Sequence, residues 1–124
     1  MEIKKITDFN NKNLLLVDDD SPFRERLARA MEKKGFILSQ AESVKKGIES
    51  VKNSCPGFAV IDLRLGDGNG LEVVKEIKKI SLESRVIMLT GYGNIPTAVA
   101  AVKDGAIDYL AKPADADDVE KALL

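Results

Sequence analysis

Three carboxylates stand in a row where an apolar run stops: Asp18, Asp19 and Asp20 close the stretch LLLVDDD. A fourth, Asp62, ends the run FAVID, Thr90 ends RVIMLT, and Lys112 follows DYLA. Carboxylates gathered in one place raise one another's pKa unless a cation compensates them. A hard divalent cation with oxygen ligands answers that need. Mg²⁺ fits best, because it accepts one or two carboxylates together with waters and phosphate oxygens. A metal so held prepares the place for a phosphoryl group, and Thr90 and Lys112 supply the further donors that such a group requires. Asp62, alone at its strand end and facing this cation, is then the nucleophile for an acyl phosphate.

Each residue also has a plain reading. Asp20, directly before Ser21, suits a surface or capping role better than a ligand role. Asp18 and Asp19 could merely favour the positive end of a following helix, a fair account of one aspartate and a poor one of two beside a buried strand. Thr90 alone would be a strand residue, and Lys112 alone a solvated cation. Cys55, beside Pro56 and Gly57, reads as a loop residue. The specific signal is that four strand ends converge on one chemistry.

The elements that must position these residues alternate in period. Short apolar runs predict strands over about 13–18, 36–41, 57–62, 85–90 and 106–110, the second weaker than the rest. Between them, helical stripes predict helices over about 21–34, 43–53, 70–80 and 95–104, and a fifth begins near 116. Phe23, Leu27, Ala30 and Met31 mark the first stripe, and Ile95, Ala98, Val99 and Val102 the fourth. Ser21 reads as an N-cap with Pro22 at the first helical position, and Gly35 as a helix stop. Strands alternating with helices mean a parallel α/β sheet covered on both faces, with ligands bound beyond the carboxyl ends of the strands.

The bulk composition sets limits. The 124 residues are 44% hydrophobic and 31% charged, with formal net charge −1, so no global charge draws the chain to nucleic acid or an anionic membrane. No apolar run is long enough to span a bilayer. Without histidine and with one cysteine, most zinc sites and histidine-based triads are excluded. A lone cysteine fits a reducing compartment. Residues 1–12 read as a polar lead-in without an apolar signal core.

The motifs VDDD, VIDLRLGDGNG, LTGYG and GAIDYLAKP together resemble the receiver domain of two-component response regulators, over about residues 13–124. The wording from LTGYG to the C-terminus is most similar to the RegA/PrrA/ActR type of redox-responsive global regulators. The resemblance implies a flavodoxin-like, doubly wound, five-stranded parallel sheet of order 2-1-3-4-5. It makes Asp62 the phosphoacceptor and Asp19 a direct Mg²⁺ ligand, with Asp18 acting through water and the backbone carbonyl of Arg64 completing the shell. Thr90 would bond the phosphoryl oxygens, Lys112 would pair with phosphate or Asp62, and Tyr109 would be the switch aromatic. A cis peptide bond would join Lys112 to Pro113. The implied protein is a cytoplasmic transcriptional regulator whose partner is a cognate sensor histidine kinase. Homodimerisation on phosphorylation would use the face of the fourth helix, fifth strand and fifth helix. DNA would be reached only through an output domain outside this chain, and no membrane is involved. The last helix reads as cut short, which favours a truncated chain over a single-domain receiver acting by protein contact.

The loop after Asp62 departs from the family's Leu-x-Leu-Pro. Gly66 stands at the proline position, and GDGNG predicts a more mobile loop. A rival reading is a Mg²⁺-dependent phosphohydrolase, which would place a second acid two residues after the nucleophile, where this chain has Arg64. The expected chemistry is therefore self-phosphorylation and self-dephosphorylation without turnover of a substrate. Arg64 and Tyr92, each two positions beyond a site residue, are expected to set the lifetime of the phosphoryl group by crowding the attacking water's path.

Overall fold

Strands buried on both faces need apolar residues at every position, and the sequence supplies them. In the computed structural model, which describes residues 5–91, 103, 105–106, 108–112 and 114–124, β1 (Asn13–Val17) and β3 (Phe58–Asp62) are almost wholly buried. With β2 (Ile37–Ala41), β4 (Arg85–Thr90) and β5 (Asp108–Ala111) they form one parallel sheet of order β2-β1-β3-β4-β5. The predicted fold class and strand order are those observed. β2 is the edge strand, which explains its weaker apolar pattern: Ile37 is exposed and only Ala41 is buried.

Alternate side chains feed two cores. Leu15, Val17, Ala59, Ile61, Val86 and Met88 pack with Val44 and Val51 of α2 (Val44–Asn53) and with Val73, Val74 and Ile77 of α3 (Leu71–Ile80). Leu14, Leu16, Phe58, Val60, Ile87 and Leu89 pack on the other face. There they meet Leu27, Ala28 and Met31 of α1 (Ser21–Lys33), and Val119 and Leu123 of the C-terminal helix Ala116–Leu123. The chain reverses its direction of travel across the sheet after β2, so β1 and β3 flank the switch point where such sheets bind ligands.

Three local expectations are corrected. The N-cap of α1 is Asp20 rather than Ser21: its carboxylate accepts the Phe23 N–H at 3.2 Å, and Pro22 follows within the first turn. The capping role read for Asp20 therefore holds. The buried stripe of α1 is rotated to include Arg24 beside Leu27, Ala28 and Met31, leaving Phe23 half-buried. The lead-in is more than polar. Ile6 lies buried against Gly35, whose φ of +105° no larger residue adopts readily. Phe9 meets Phe58 edge-on at 5.0 Å, with the Arg85 guanidinium over its ring at 5.2 Å.

The glycine-rich loop is also more ordered than its composition predicts. Arg64–Leu65 pairs antiparallel with Gly68–Asn69, and the turn presents Asp67 to α2. The Asp67 carboxylate accepts the N–H groups of Val44 at 2.9 Å and Lys45 at 3.1 Å, while Ser43 Oγ accepts that of Lys46 at 3.1 Å. The loop thus caps a helix two elements away in sequence. Gly70 is required by close approach: a Cβ there would stand 2.2 Å from the Asp62 carbonyl oxygen. The expected fourth helix over 95–104, Tyr92, the Lys112–Pro113 peptide bond and the Thr90 side chain lie outside the described residues. Among the described residues, no helix is long and apolar enough to cross a membrane.

The two backbone donors hold the Asp67 carboxyl below its ordinary pKa. A depressed carboxylate contributes stability that is present above its unfolded value, about pH 4, and lost as pH falls through the folded value. Asp67→Ala should therefore lower the urea midpoint at pH 6, and the gap to the wild type should close as pH falls below about 4. A constant gap across that range would place the cap's contribution elsewhere.

Candidate functional site

β1 and β3 end side by side, and their last residues deliver the two carboxylates that matter most. Asp18 is fully buried just past β1, where its N–H donates to the Ala41 carbonyl at 3.1 Å. Asp62 ends β3 with 7% exposure. Asp19 is exposed on the rim. One carboxylate oxygen from each of the three lies within 4.8 Å of the others. The structure therefore brings together the acidic group expected from the sequence and leaves Asp20 to its cap.

Lys112 reaches into this group from the end of β5. Its Nζ stands 2.9 Å from Asp18 Oδ2 and 3.3 Å from Asp62 Oδ2. The contact with Asp62 is a hydrogen bond. The contact with Asp18 is a close ion pair, and among the described residues the buried Oδ2 has no other donor. Asp18 Oδ1 accepts the Asp20 N–H at 2.9 Å. Asp62 Oδ1 accepts a long hydrogen bond from the Arg64 N–H at 3.4 Å.

Three carboxylates thus face one ammonium. Burial and the nearby Asp18 carboxylate raise the Asp62 pKa, with Lys112 opposing them. Burial pulls the Lys112 ammonium down, but pairing with Asp18 and Asp62 outweighs it and the net shift is upward. Oxygen donors in excess of cations are what a hard divalent ion satisfies. An octahedral Mg²⁺ at ~2.1 Å places adjacent ligands about 3 Å apart and opposite ones about 4.2 Å apart. The three carboxylate oxygens, within 4.8 Å of one another, stand near enough to serve such an ion directly or through water.

The other expected residues are placed unevenly. Thr90 ends β4, and its backbone pairs in register with Ala111, next to Lys112. Tyr109 is half-buried, opposite Met88, and packs against the core of α2 and α3. Arg64 is exposed in the short hairpin.

The carry-over from sequence missed Arg24. This buried guanidinium donates from Nη1 to the Asp18 carbonyl at 2.7 Å and from Nε to Gln40 Oε1 at 3.0 Å. It ties the acidic loop to β2 and sets a second positive charge behind Asp18. A charge at a core position of the α1 stripe was its only sequence signal. Gly70, which lets the following loop pass over Asp62, was missed as well.

Comparison with known proteins places the chain in a family. The response regulator receiver domain model matches residues 14–124. The chain belongs to that family. It is 60% identical over 115 residues to the photosynthetic apparatus regulatory protein RegA of Rhodobacter capsulatus, covering 93% of this chain and 62% of that protein. It is also 60% identical over 114 residues to the acid tolerance regulatory protein ActR of Sinorhizobium medicae, covering 92% of this chain and 59% of that one. The receiver chain thus spans about 60% of the length of these relatives. Among solved structures it is similar to a Burkholderia pseudomallei response regulator described with a phosphorylated aspartic acid, calcium ion and citrate. That likeness has a TM-score of 0.86 at 38% identity, over 92% of this chain and 67% of the other. The receiver domain of NtrX from Brucella abortus gives 0.79 at 33% identity, over 89% and 97%.

The buried repulsion between Asp18 and Asp62 is a cost of folding when no cation is bound. Asp62→Asn should raise metal-free stability at pH 7 by about 1 kcal/mol, or ~4 °C in melting temperature for a domain of this size. Millimolar Mg²⁺ should stabilise the wild type more than this variant, because the ion binds the folded state alone. A variant that melts below the wild type without metal would contradict the charge balance drawn here.

Proposed function

We propose that this receiver takes a phosphoryl group onto Asp62 from a phosphohistidine of a sensor kinase, with Mg²⁺ held by Asp19, Asp62 and the Arg64 carbonyl, and by Asp18 through water. The observation that carries the reading is the seat of Asp62: a nearly buried carboxylate beside Asp18 and Asp19, with the Lys112 ammonium 3.3 Å away. Bound Mg²⁺ supplies charge neutralisation for the entering phosphoryl oxygens. An Asp62 oxygen attacks phosphorus in line. The P–O bond forms as the P–N bond to the donor imidazole breaks, and the nitrogen leaves with the electron pair. Lys112 moves from the carboxylates toward the new oxygens, and Thr90 offers them a hydroxyl donor.

The output follows from where Lys112 and Thr90 stand. Both lie at the ends of the β4–β5 pair, and Tyr109 sits three residues before Lys112 in β5. A phosphoryl group that draws in Thr90 gives the Tyr109 ring a new position to fill, so the two states differ in contacts, as a ligand-driven shift requires. Homodimerisation through the face that includes β5 and the C-terminal helix would read out this change. Residues 13–124 act as the receiver of a cytoplasmic transcriptional regulator whose DNA contacts belong to an output segment, as the similarity to RegA and ActR supports. Arg64, where a phosphohydrolase would carry an acid, favours regulation over substrate turnover.

Incubation with acetyl phosphate and Mg²⁺ should add one phosphoryl mass, and Asp62→Asn or removal of the metal by chelation should abolish it. Full labelling of that variant would move the acceptor away from Asp62.

Arg64 is exposed two residues beyond the acceptor, at the rim an attacking water must cross. Arg64 and Tyr92 are therefore proposed to slow hydrolysis of the acyl phosphate. Replacing both with Ala should shorten its half-life several-fold while leaving the Mg²⁺ affinity unchanged. An unaltered decay, timed by the loss of phosphoryl mass, would assign the lifetime to the loop from Gly66 to Gly70.

A further inference from the structure

We infer that Phe23 is a positioning residue for Lys112: its ring face and the carboxylates of Asp18 and Asp62 make a three-sided seat that keeps the ammonium over the acidic cluster as a phosphoryl group arrives. This inference rests on the reading of Asp62 as the phosphoacceptor.

The geometry is direct. Lys112 Nζ lies 4.9 Å from the centroid of the Phe23 ring while standing 2.9 Å from Asp18 Oδ2 and 3.3 Å from Asp62 Oδ2. An ammonium within about 6 Å of a ring centroid, over its face, is attracted by the negative face of the π-system. The backbone that carries the ring is held by the acidic loop itself, because the Phe23 N–H donates to the Asp20 carboxylate that caps α1. One short segment therefore supplies Asp18 and Asp19, aims the cap, and sets the aromatic face. Phe23 also lines an open cleft between α1 and the C-terminal helix with Leu27, Ala30 and Ala114. In the plain reading, packing there is its whole role.

The chemistry gives the ring a task that a carboxylate could not perform. Lysine is a point charge on a long flexible stem, and the ends of such stems wander unless held. Mg²⁺ and a phosphoryl group each draw Asp18 or Asp62 away from the ammonium. A further carboxylate in the place of the ring would hold Lys112 but would also repel the phosphoryl oxygens. A neutral ring holds the cation without that repulsion, and it remains a partner when the two carboxylates are taken.

The test compares the whole chain with Phe23→Leu, which keeps apolar bulk but has no π-face, and with Phe23→Tyr, which keeps the face. Without metal or phosphodonor, the Lys112 ε-methylene protons should resonate upfield of ordinary lysine in the wild type and in Phe23→Tyr. Phe23→Leu should lose that displacement. With phosphoramidate at saturating Mg²⁺, Phe23→Leu should lose roughly two- to five-fold in maximal phosphorylation rate. Phe23→Tyr should restore it, and half-saturating Mg²⁺ should be the same in all three. An unchanged Lys112 signal in Phe23→Leu, equal rates in Phe23→Leu and wild type, or equal slowing by Leu and Tyr would each overturn the inference and leave the phosphoacceptor reading intact. Failure of the wild type itself to take a phosphoryl group would overturn both.

Discussion

The Lys112 ammonium between Asp18 and Asp62 is the contact on which the rest of the site depends. β1 and β3 are adjacent in the sheet, so their last carboxylates are forced together by the backbone pairing of Leu14–Val17 with Phe58–Ile61. The fold offers no way to separate them without breaking that register. Two buried like charges would be costly, and a cation must come from a neighbouring strand end. β5 supplies it across the intervening β4, because a lysine is long enough to span that distance.

Holding that arrangement takes supports drawn from different elements. Arg24 fastens the carbonyl of Asp18 from α1 and reaches the edge strand through Gln40. Gly70 allows the chain to pass directly over the Asp62 carbonyl, and its own N–H donates to Leu63 at 2.9 Å. The hairpin then ties back to α2 through Asp67. The loop beside the acceptor is therefore anchored at both ends, although four of its five residues from Gly66 to Gly70 are glycine or aspartate. Such anchoring holds the Asp62 carboxylate in place before any ligand arrives, the condition under which electrostatic stabilisation needs little reorganisation.

Most of this was legible in the sequence because the strong signals are repeated. Continuous apolar runs ending in polar residues mark strands buried on both faces, and four such ends carry complementary chemistry. What escaped was encoded once. Arg24 sits at a core position, where a periodicity reading counts a charge as solvent-facing; its burial is compensated by two acceptors on other elements, the Asp18 carbonyl and Gln40 Oε1. Asp20 and Ser21 are both competent caps, so composition could not choose between them. GDGNG reads as flexible because glycine frees the backbone, yet Asp67 finds helix donors that lie more than twenty residues earlier. Ile6 and Phe9 are isolated apolar residues in a polar stretch, and only the tertiary fold shows that they cover the lower end of the sheet.

The placement of cations relative to the sheet carries a last consequence for signalling. Arg24 is tied to the Asp18 carbonyl and to a neutral amide, and neither of these bonds is to a carboxylate. Lys112 differs, since both of its ionic partners are residues that a metal or phosphoryl group would engage. The site thus has one fixed cation and one that must choose among partners. The choosing cation is at the end of β5, the strand that carries Tyr109 and pairs with Thr90 through Ala111. A change of charge at Asp62 would therefore bear first on Lys112, at the end of β5. The asymmetry of the two cations puts the contacts that a ligand at Asp62 would alter toward the β5 edge of the sheet, away from the Arg24 bonds at β1 and β2.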